Sequence, residues 1–382
     1  MNDNQRILWA LAERDEPCAL ATVVETEGST YRRAGAKMLA FADGETVGAI
    51  SGGCLERDVA ERALQTLASG ALSCVTYDAS DDNDEIFGFG MGCNGVMRVT
   101  IEPMSGENDP LCRFLRRCLH ERERGVVATV YEITPASGEA RLLDGHRFFM
   151  RHGAEEAEDS FGESAFAGRL REFVWDNALA TLEHSRSHSV AFEDAEARAS
   201  VFFDAVEPAR ELVIVGAGYD AMPLARYGAS LGWRAILCDY RPALLEPRRS
   251  PEAAARLEFP RERPEVLFRA VEATPHTAVV VMTHNLEVDA AALEAGLQTN
   301  CGYIGVLGPK DRFNKILDLL AAQGAKLSAE SLERIHSPIG LDIGSETAEE
   351  VALSIVAEIQ AAMNKRAGGF LKHRKRRSIH ED

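Results

Sequence analysis

The sequence predicts an α/β chain: an α+β half followed by a doubly wound parallel sheet. Three observations carry this. Short continuous apolar runs recur from 210 onward, as "ELVIVGAG" (211–218), "WRAILCDYR" (233–241), "HTAVVVMTHN" (276–285) and "CGYIGVLGP" (301–309), with helical stretches between them. Strand–helix alternation of this kind belongs to parallel sheets covered on both faces. The first run ends in Gly216-Ala217-Gly218-Tyr219-Asp220-Ala221, a GxGxxA turn between strand and helix, which makes the second half Rossmann-like. Before 104 the texture differs, with half-apolar strands around one charged helix.

Taken in order, residues 5–14 read as a helix, and 18–26, 36–42 and 46–51 as strands. A helix follows over 55–69, then a polar acidic loop at 78–86 and a strand at 95–102. This N-terminal domain, 1–104, closes near Pro103, and "MSGENDP" (104–110) reads as a linker. Residues 105–205 read as a connecting segment: a helix at 110–123, the strand "GVVATVYEI", a hairpin around "TPASGEARLL" and an alanine- and glutamate-rich stretch from 153. "GVVATVYEI" resembles "CALATVVET" (18–26); duplication and independent origin both account for that. The Rossmann-like domain spans 206–363, its last helix starting at Thr347 with Glu350 at capping-box spacing. A basic tail, 364–382, reads as a solvated end or a docking segment.

The net charge of −18 over 382 residues argues against nucleic acid as the main partner, since phosphate neutralisation needs broad basic surface. The start lacks the basic-then-apolar order of a signal peptide, and no apolar run approaches the roughly 20 residues of a membrane span. Eight scattered cysteines without a CxxC pair suit reduced thiols in the cytoplasm.

Candidate site residues fall in both halves. In the second, Gly216 and Gly218 would let backbone N–H groups approach a pyrophosphate, and Asp239, 23 positions beyond Gly216, is placed to accept from ribose hydroxyls, which favours NAD over NADP. Thr283, His284, Gly305, Gly308, Lys310, Gly340 and Asp342 follow later strand ends, where open α/β sheets bind ligands. In the first half, Ser51-Gly52-Gly53-Cys54 joins a strand to a helix, and Gly92-Cys93-Asn94-Gly95 precedes another strand. Cysteine at such turns serves packing or chemistry. Arg32, Arg33 and Lys37 form a local basic cluster in an acidic chain.

The stretches "TEGSTYRRAGAKMLAFADGETVGAISGGCLERDVAERAL", "GFGMGCNGVMRVTIEP", "GYIGVLGPKDRFNKIL" and "SPIGLDIGSETAEEVALSIVAEI" resemble the XdhC/CoxI family, accessory factors of xanthine dehydrogenase and related molybdenum hydroxylases, over roughly 16–103 and 210–362. The resemblance implies an N-terminal XdhC/CoxI-type domain, a homodimer, and a chaperone without turnover of its own. Such a chaperone binds molybdenum cofactor (molybdopterin, alone or as a dinucleotide), protects it during sulfuration by a cysteine desulfurase and delivers it to the large subunit of the apo-molybdoenzyme. Three departures stand out: Ser51 where the family often has glycine, Asn94 in place of glycine, and Tyr31 where proline often precedes the arginine. In that reading Cys54, set in the first helical turn, is a thiolate facing molybdenum or sulfur, and the arginines hold phosphate. Glu56 caps the turn or accepts from the pterin amine, and Cys93 is a second thiol of the site. Two rivals compete: an NAD(P)-dependent oxidoreductase using the 216–221 loop, and a ligand-free scaffold docking a desulfurase with a molybdoenzyme. Against the oxidoreductase, no convincing acid–base pair emerges.

Overall fold

A computed structural model describes residues 2–14, 16–28, 30–78, 95–136 and 146–373. The chain divides into two compact units, one ending at Pro208 and one beginning at Ala209.

The first unit holds two copies of one arrangement. In the first copy, α1 (Asp3–Glu13), closed by a capping box on Asn2, precedes β1 (Cys18–Gly28), β2 (Lys37–Phe41) and β3 (Thr46–Gly48); α2 (Glu56–Ser69), β4 (Ser73–Asp78) and β5 (Gly95–Met104) follow. The second copy runs α3 (Pro110–Glu121), β6 (Gly125–Pro135), β7 (His146–Arg151), β8 (Glu158–Asp159), α4 (Ala165–His184), β9 (His188–Glu193) and β10 (Ala197–Val206). The sheets are ordered β3-β2-β1-β5-β4 and β8-β7-β6-β10-β9, so the topologies are the same, and every pairing is antiparallel. Each central strand also slips register at one residue, Val24 in β1 and Tyr131 in β6. Both are bulges at the seventh position, counting from Cys18 and Gly125. The likeness between the two strand sequences thus extends through the whole repeat. Residues 105–205, expected to be connecting structure, form most of the second copy.

Strand alternation decides what each face buries. Ala19, Ala21 and Val23 of β1 pack with Val59 and Ala63 of α2. Val126, Ala128 and Val130 of β6 do the same with Val174 and Ala178 of α4. The opposite faces, with Leu20 and Val127, share a core with α1 and α3. Between the sheets lie two buried ion pairs. Lys37 of β2 meets Asp204 of β10 at 2.7 Å, and Arg147 of β7 meets Glu102 of β5 at 2.6 Å. Lys37 and Arg147 sit opposite Thr22 and Thr129, and Glu102 and Asp204 opposite Leu20 and Val127, all equivalent repeat positions. Each copy supplies the carboxylate for the other's cation.

The second unit has a six-stranded parallel sheet in the order β13-β12-β11-β14-β15-β16. Its strands are β11 (Glu211–Val215), β12 (Arg234–Asp239), β13 (Ala255–Glu258), β14 (Thr277–Val281), β15 (Tyr303–Val306) and β16 (Ile335–His336). The helices are α5 (Ala221–Ser230), the short α6 (Leu267–Ala270), α7 (Leu286–Leu297), α8 (Lys310–Ala322), the short α9 (Ala329–Glu333) and α10 (Ala348–Met363). Strands β11 and β14 are buried end to end, because α5 and α10 cover one face and α7 and α8 the other. The strand order reverses between β11 and β14, which places a crevice at their carboxyl ends. Thr347 and Glu350 close the capping box on α10 as expected.

Candidate functional site

The turn before α2 is built around its own anion. One Glu56 oxygen accepts the backbone N–H groups of Ile50, Ser51 and Gly52 at 3.1, 2.8 and 3.0 Å; the other accepts Gly53 N–H at 2.8 Å and the Ser51 hydroxyl at 2.6 Å. Alternation into the left-handed region helps successive N–H groups to converge in this way, and Gly52 and Gly53 have φ of 111° and 120°. Burial pushes the Glu56 carboxyl up, but the Ser51 hydroxyl and the converging N–H groups outweigh it and bring the carboxyl down to about 2. Glu56 is therefore the cap of the turn.

Cys54 follows this cradle and is exposed. It lies in the bend ahead of α2, which begins at Glu56, and not within the first helical turn as expected. The Tyr31 ring lies on Gly52, so close that a Cβ there would come within 2.8 Å of it. Tyr31 thereby brings the arginine loop alongside the cysteine turn.

The basic cluster does not stay together. Lys37 is 4% exposed and committed to Asp204, so it is corrected from ligand contact to structural pairing. Arg32 is ion-paired with Asp3. Arg33 is half-buried and lines a cleft of about 1050 Å³ between the two repeats. The same cleft takes Glu25, Arg98, Glu132, His188 and Arg198, none of them expected from the sequence. Cys93 lies outside the described residues.

In the second unit Gly216 has φ of 117°, and a Cβ there would sit 2.5 Å from the Met282 carbonyl oxygen. Glycine is required where the loop crosses β14's end. Gly218 has open space around it. Asp239 corrects the expectation of a ribose acceptor: it is fully buried, one oxygen accepting Ala217 N–H at 2.7 Å, and both oxygens binding the Arg241 guanidinium. It ties the glycine loop to β12, so nothing at this position selects NAD over NADP. Thr283 is buried, its hydroxyl donating to Asp289, which also pairs with Arg312 at 2.6 Å. His284 is exposed, in the left-handed region at φ 63°, 3.7 Å from Asp220 at the end of the glycine loop. Gly305 is packing, since a Cβ would strike Ile339. Gly308 and Asp342 line a shallow cleft of about 380 Å³, and Lys310 is exposed at the start of α8.

Gly340 donates its N–H to Glu358 at 2.7 Å, and Glu358 also accepts from the Tyr303 hydroxyl at 2.6 Å and lies 3.1 Å from His336 Nδ1. Burial pushes Glu358 up, but His336, Tyr303 and the Gly340 N–H outweigh it and leave the carboxyl below its ordinary value. That hub, which orients the 336–340 segment, carried no motif. Among the described residues no three metal-ligating side chains gather, and no helix is long and apolar enough to cross a membrane.

An exposed thiol turn beside an arginine loop, joined in one chain to a Rossmann unit, defines a two-part α/β protein. A family model described as "XdhC and CoxI family" matches residues 11–78, and one described as "XdhC Rossmann domain" matches 212–359. The chain is 31% identical over 362 residues to a protein of Bacillus subtilis (strain 168) named as a probable xanthine dehydrogenase subunit, covering 94% of this chain and 97% of that protein. It is 24% identical over 340 residues to the molybdenum cofactor insertion chaperone PaoD of Escherichia coli (strain K12), covering 89% and 81%. The crystal structure of a xanthine dehydrogenase from Bacillus halodurans superposes with a TM-score of 0.74 at 28% identity, over 96% of this chain and 97% of that one. The chain belongs to the XdhC and CoxI family.

Proposed function

We propose that this protein is a maturation factor for a xanthine dehydrogenase-type molybdoenzyme and holds molybdenum cofactor before insertion. The observation that carries the reading is Cys54, an exposed sulfur on a turn held rigid by Glu56 and flanked by the arginine loop. The residues present suit the cargo. A cleft of about 1050 Å³ in the same unit, lined by Arg33 and other arginines though not by Cys54, is large enough for a pterin and its phosphate, and a thiolate suits a soft metal–sulfur centre. When bound, the cofactor supplies the redox chemistry of the client enzyme. Here Arg33 contributes charge, Cys54 a sulfur ligand or relay, and Glu56 keeps the turn in register. In the same reading a cysteine desulfurase and the large subunit of the apo-enzyme are the partners, and the protein acts as a dimer. The names of two relatives support this: one is called a molybdenum cofactor insertion chaperone, the other a probable subunit of xanthine dehydrogenase. With Asp239 engaged inside the Rossmann unit, the oxidoreductase reading loses its best residue.

The test compares protein purified from a cofactor-producing host with protein from a cofactor-deficient one, each oxidised to release fluorescent pterin. Pterin in the first alone is expected, and Cys54→Ala should lose it while stability stays within about 1 kcal/mol. No pterin in either preparation, or full retention by Cys54→Ala, overturns the proposal.

A further inference from the structure

We infer that the pocket between α3 and β8 is a docking site for an extended segment of a partner protein, which inserts one large apolar side chain flanked by an acidic and a basic residue. The two repeats show why this place is open. Asn2 caps α1 and Asp109 caps α3, and counting from those caps Ile7 matches Phe114 and Ala10 matches Arg117. Leu39 stands opposite Leu20, and Phe149 opposite Val127, at equivalent positions. On the next strand Val47 pairs with Leu39, and Glu158 pairs with Phe149. In the first copy Ile7, Ala10 and Leu39 are buried, and Val47 packs against the core they share. In the second copy Phe114 and Phe149 are only half-buried, Arg117 and Glu158 are exposed, and a pocket of about 280 Å³ stands where Val47 closes the first.

The floor of the pocket is aromatic and fixed. The Phe114 and Phe149 rings lie 5.2 Å apart at 43°, and Phe114 is seated so tightly on Gly125 that a Cβ there would come within 2.7 Å of it. The floor therefore has no room to sink and close the gap. Such a surface takes an aliphatic or aromatic side chain, the kind of buried anchor that dominates binding between proteins. At about 280 Å³ the pocket falls just below the usual range for small-molecule sites. It suits one side chain and the backbone that carries it.

The rim selects the neighbours of that anchor. On the helix side Arg113 is exposed and donates to the Asn108 carbonyl at 3.0 Å, with no carboxylate partner among the described residues. Arg117 and Arg151 are already neutralised, the first by Glu121 and the second by Glu121 and Glu123. On the strand side Glu156 and Glu158 line the pocket, exposed and without a cation among the described residues. One wall thus offers positive charge and the other negative. A segment with a carboxylate on one side of its anchor and an ammonium or guanidinium on the other satisfies both walls, whereas a wholly acidic or wholly basic one meets its own sign at one of them. The first copy closes itself in a related way: Glu45, two residues before Val47, pairs with Arg14 at 2.5 Å.

The experiment titrates the full chain, by fluorescence anisotropy, with three fluorescein-labelled peptides: Asp-Ser-Phe-Ser-Lys, the reversed Lys-Ser-Phe-Ser-Asp, and Asp-Ser-Ser-Ser-Lys without the anchor. In an extended chain the first, third and fifth side chains share a face, and the reversed peptide covers the other direction of binding. One anchored peptide should bind wild type at least fivefold more tightly than the anchorless one. Glu158→Val, which restores the residue of the first copy, should bring that peptide down to the anchorless level with the circular dichroism unchanged. Arg113→Glu should weaken it at least threefold, and Arg57→Glu, an exposed reversal on α2 outside the pocket, should change it by less than twofold. The site is overturned if neither anchored peptide outbinds the anchorless one, if Glu158→Val binds like wild type, or if Arg57→Glu weakens binding as much as Arg113→Glu. Sedimentation of the chain alone should be the same for wild type and Glu158→Val; a shift to a smaller species in the variant would show a second copy in the pocket and overturn the partner. None of these outcomes depends on whether the chain carries a cofactor.

Discussion

Replacing Glu56 with glutamine tests the cradle directly. Its carboxyl is held at about 2 against an ordinary 4.5, and a tenfold change in proton affinity is worth about 1.4 kcal/mol, so the ceiling is roughly 3.4 kcal/mol. The side chain is only part-buried, and solvent screening reduces this to about 1–2 kcal/mol. Because the carboxyl is lowered in the folded chain, its contribution is full above the unfolded value near 4.5 and is lost as pH falls through about 2. At pH 3 less than half of the pH 7 contribution should survive, by the same linkage. Glu56→Gln should therefore lower the melting temperature of the unit that contains it by about 2–8 °C at neutral pH, and by less than half as much at pH 3. Hydrogen exchange supplies a local reading, with the amides of Ser51, Gly52 and Gly53 losing protection in the variant. An equal loss at both pH values, or unchanged protection of those amides, would refute the anion cradle.

Two further outcomes are expected. Alkylation of the folded chain should label Cys54 first among the cysteines of the described residues, while Cys112 and Cys118, whose thiols burial pushes up to about 12, stay unmodified until unfolding; peptide mass spectrometry against time checks this, and labelling of Cys112 at the rate of Cys54 would contradict it. Lys37→Met should cost about 3–5 kcal/mol by stranding Asp204, and adding Asp204→Leu should return most of that in a double-mutant cycle read by urea unfolding; a purely additive second loss would count against the pairing.

The Rossmann half was legible because β11 and β14 are buried from end to end, and continuous apolar runs ending in glycine announce such strands. Its site was less so. An acid at the end of the second strand has the same spacing whether it meets a ribose or the loop's own N–H, and only Arg241 two residues on reveals which. Lys37 misled for a different reason: its partner is 167 positions away, and local sequence shows the cation but never the distant carboxylate. The second repeat was hidden by β9, a half-exposed edge strand with weak alternation, and by β8, only two residues long. The cleft had no motif because its residues come from several strands of both sheets. The shared "ATV" followed at the same spacing by glutamate, in 21–25 and 128–132, was its one trace in the sequence.

The crossed pairing of Lys37 with Asp204 and of Arg147 with Glu102 has a practical corollary. Severing the chain near residue 105 would strip Lys37 and Glu102 on the first fragment and Asp204 on the second of their ion-pair partners, while Arg147 would keep Asp109 of its own fragment at 3.2 Å. Mixed in one tube, the fragments should reassemble with each other in preference to pairing with themselves, because the first carries lysine and glutamate where the second carries arginine and aspartate.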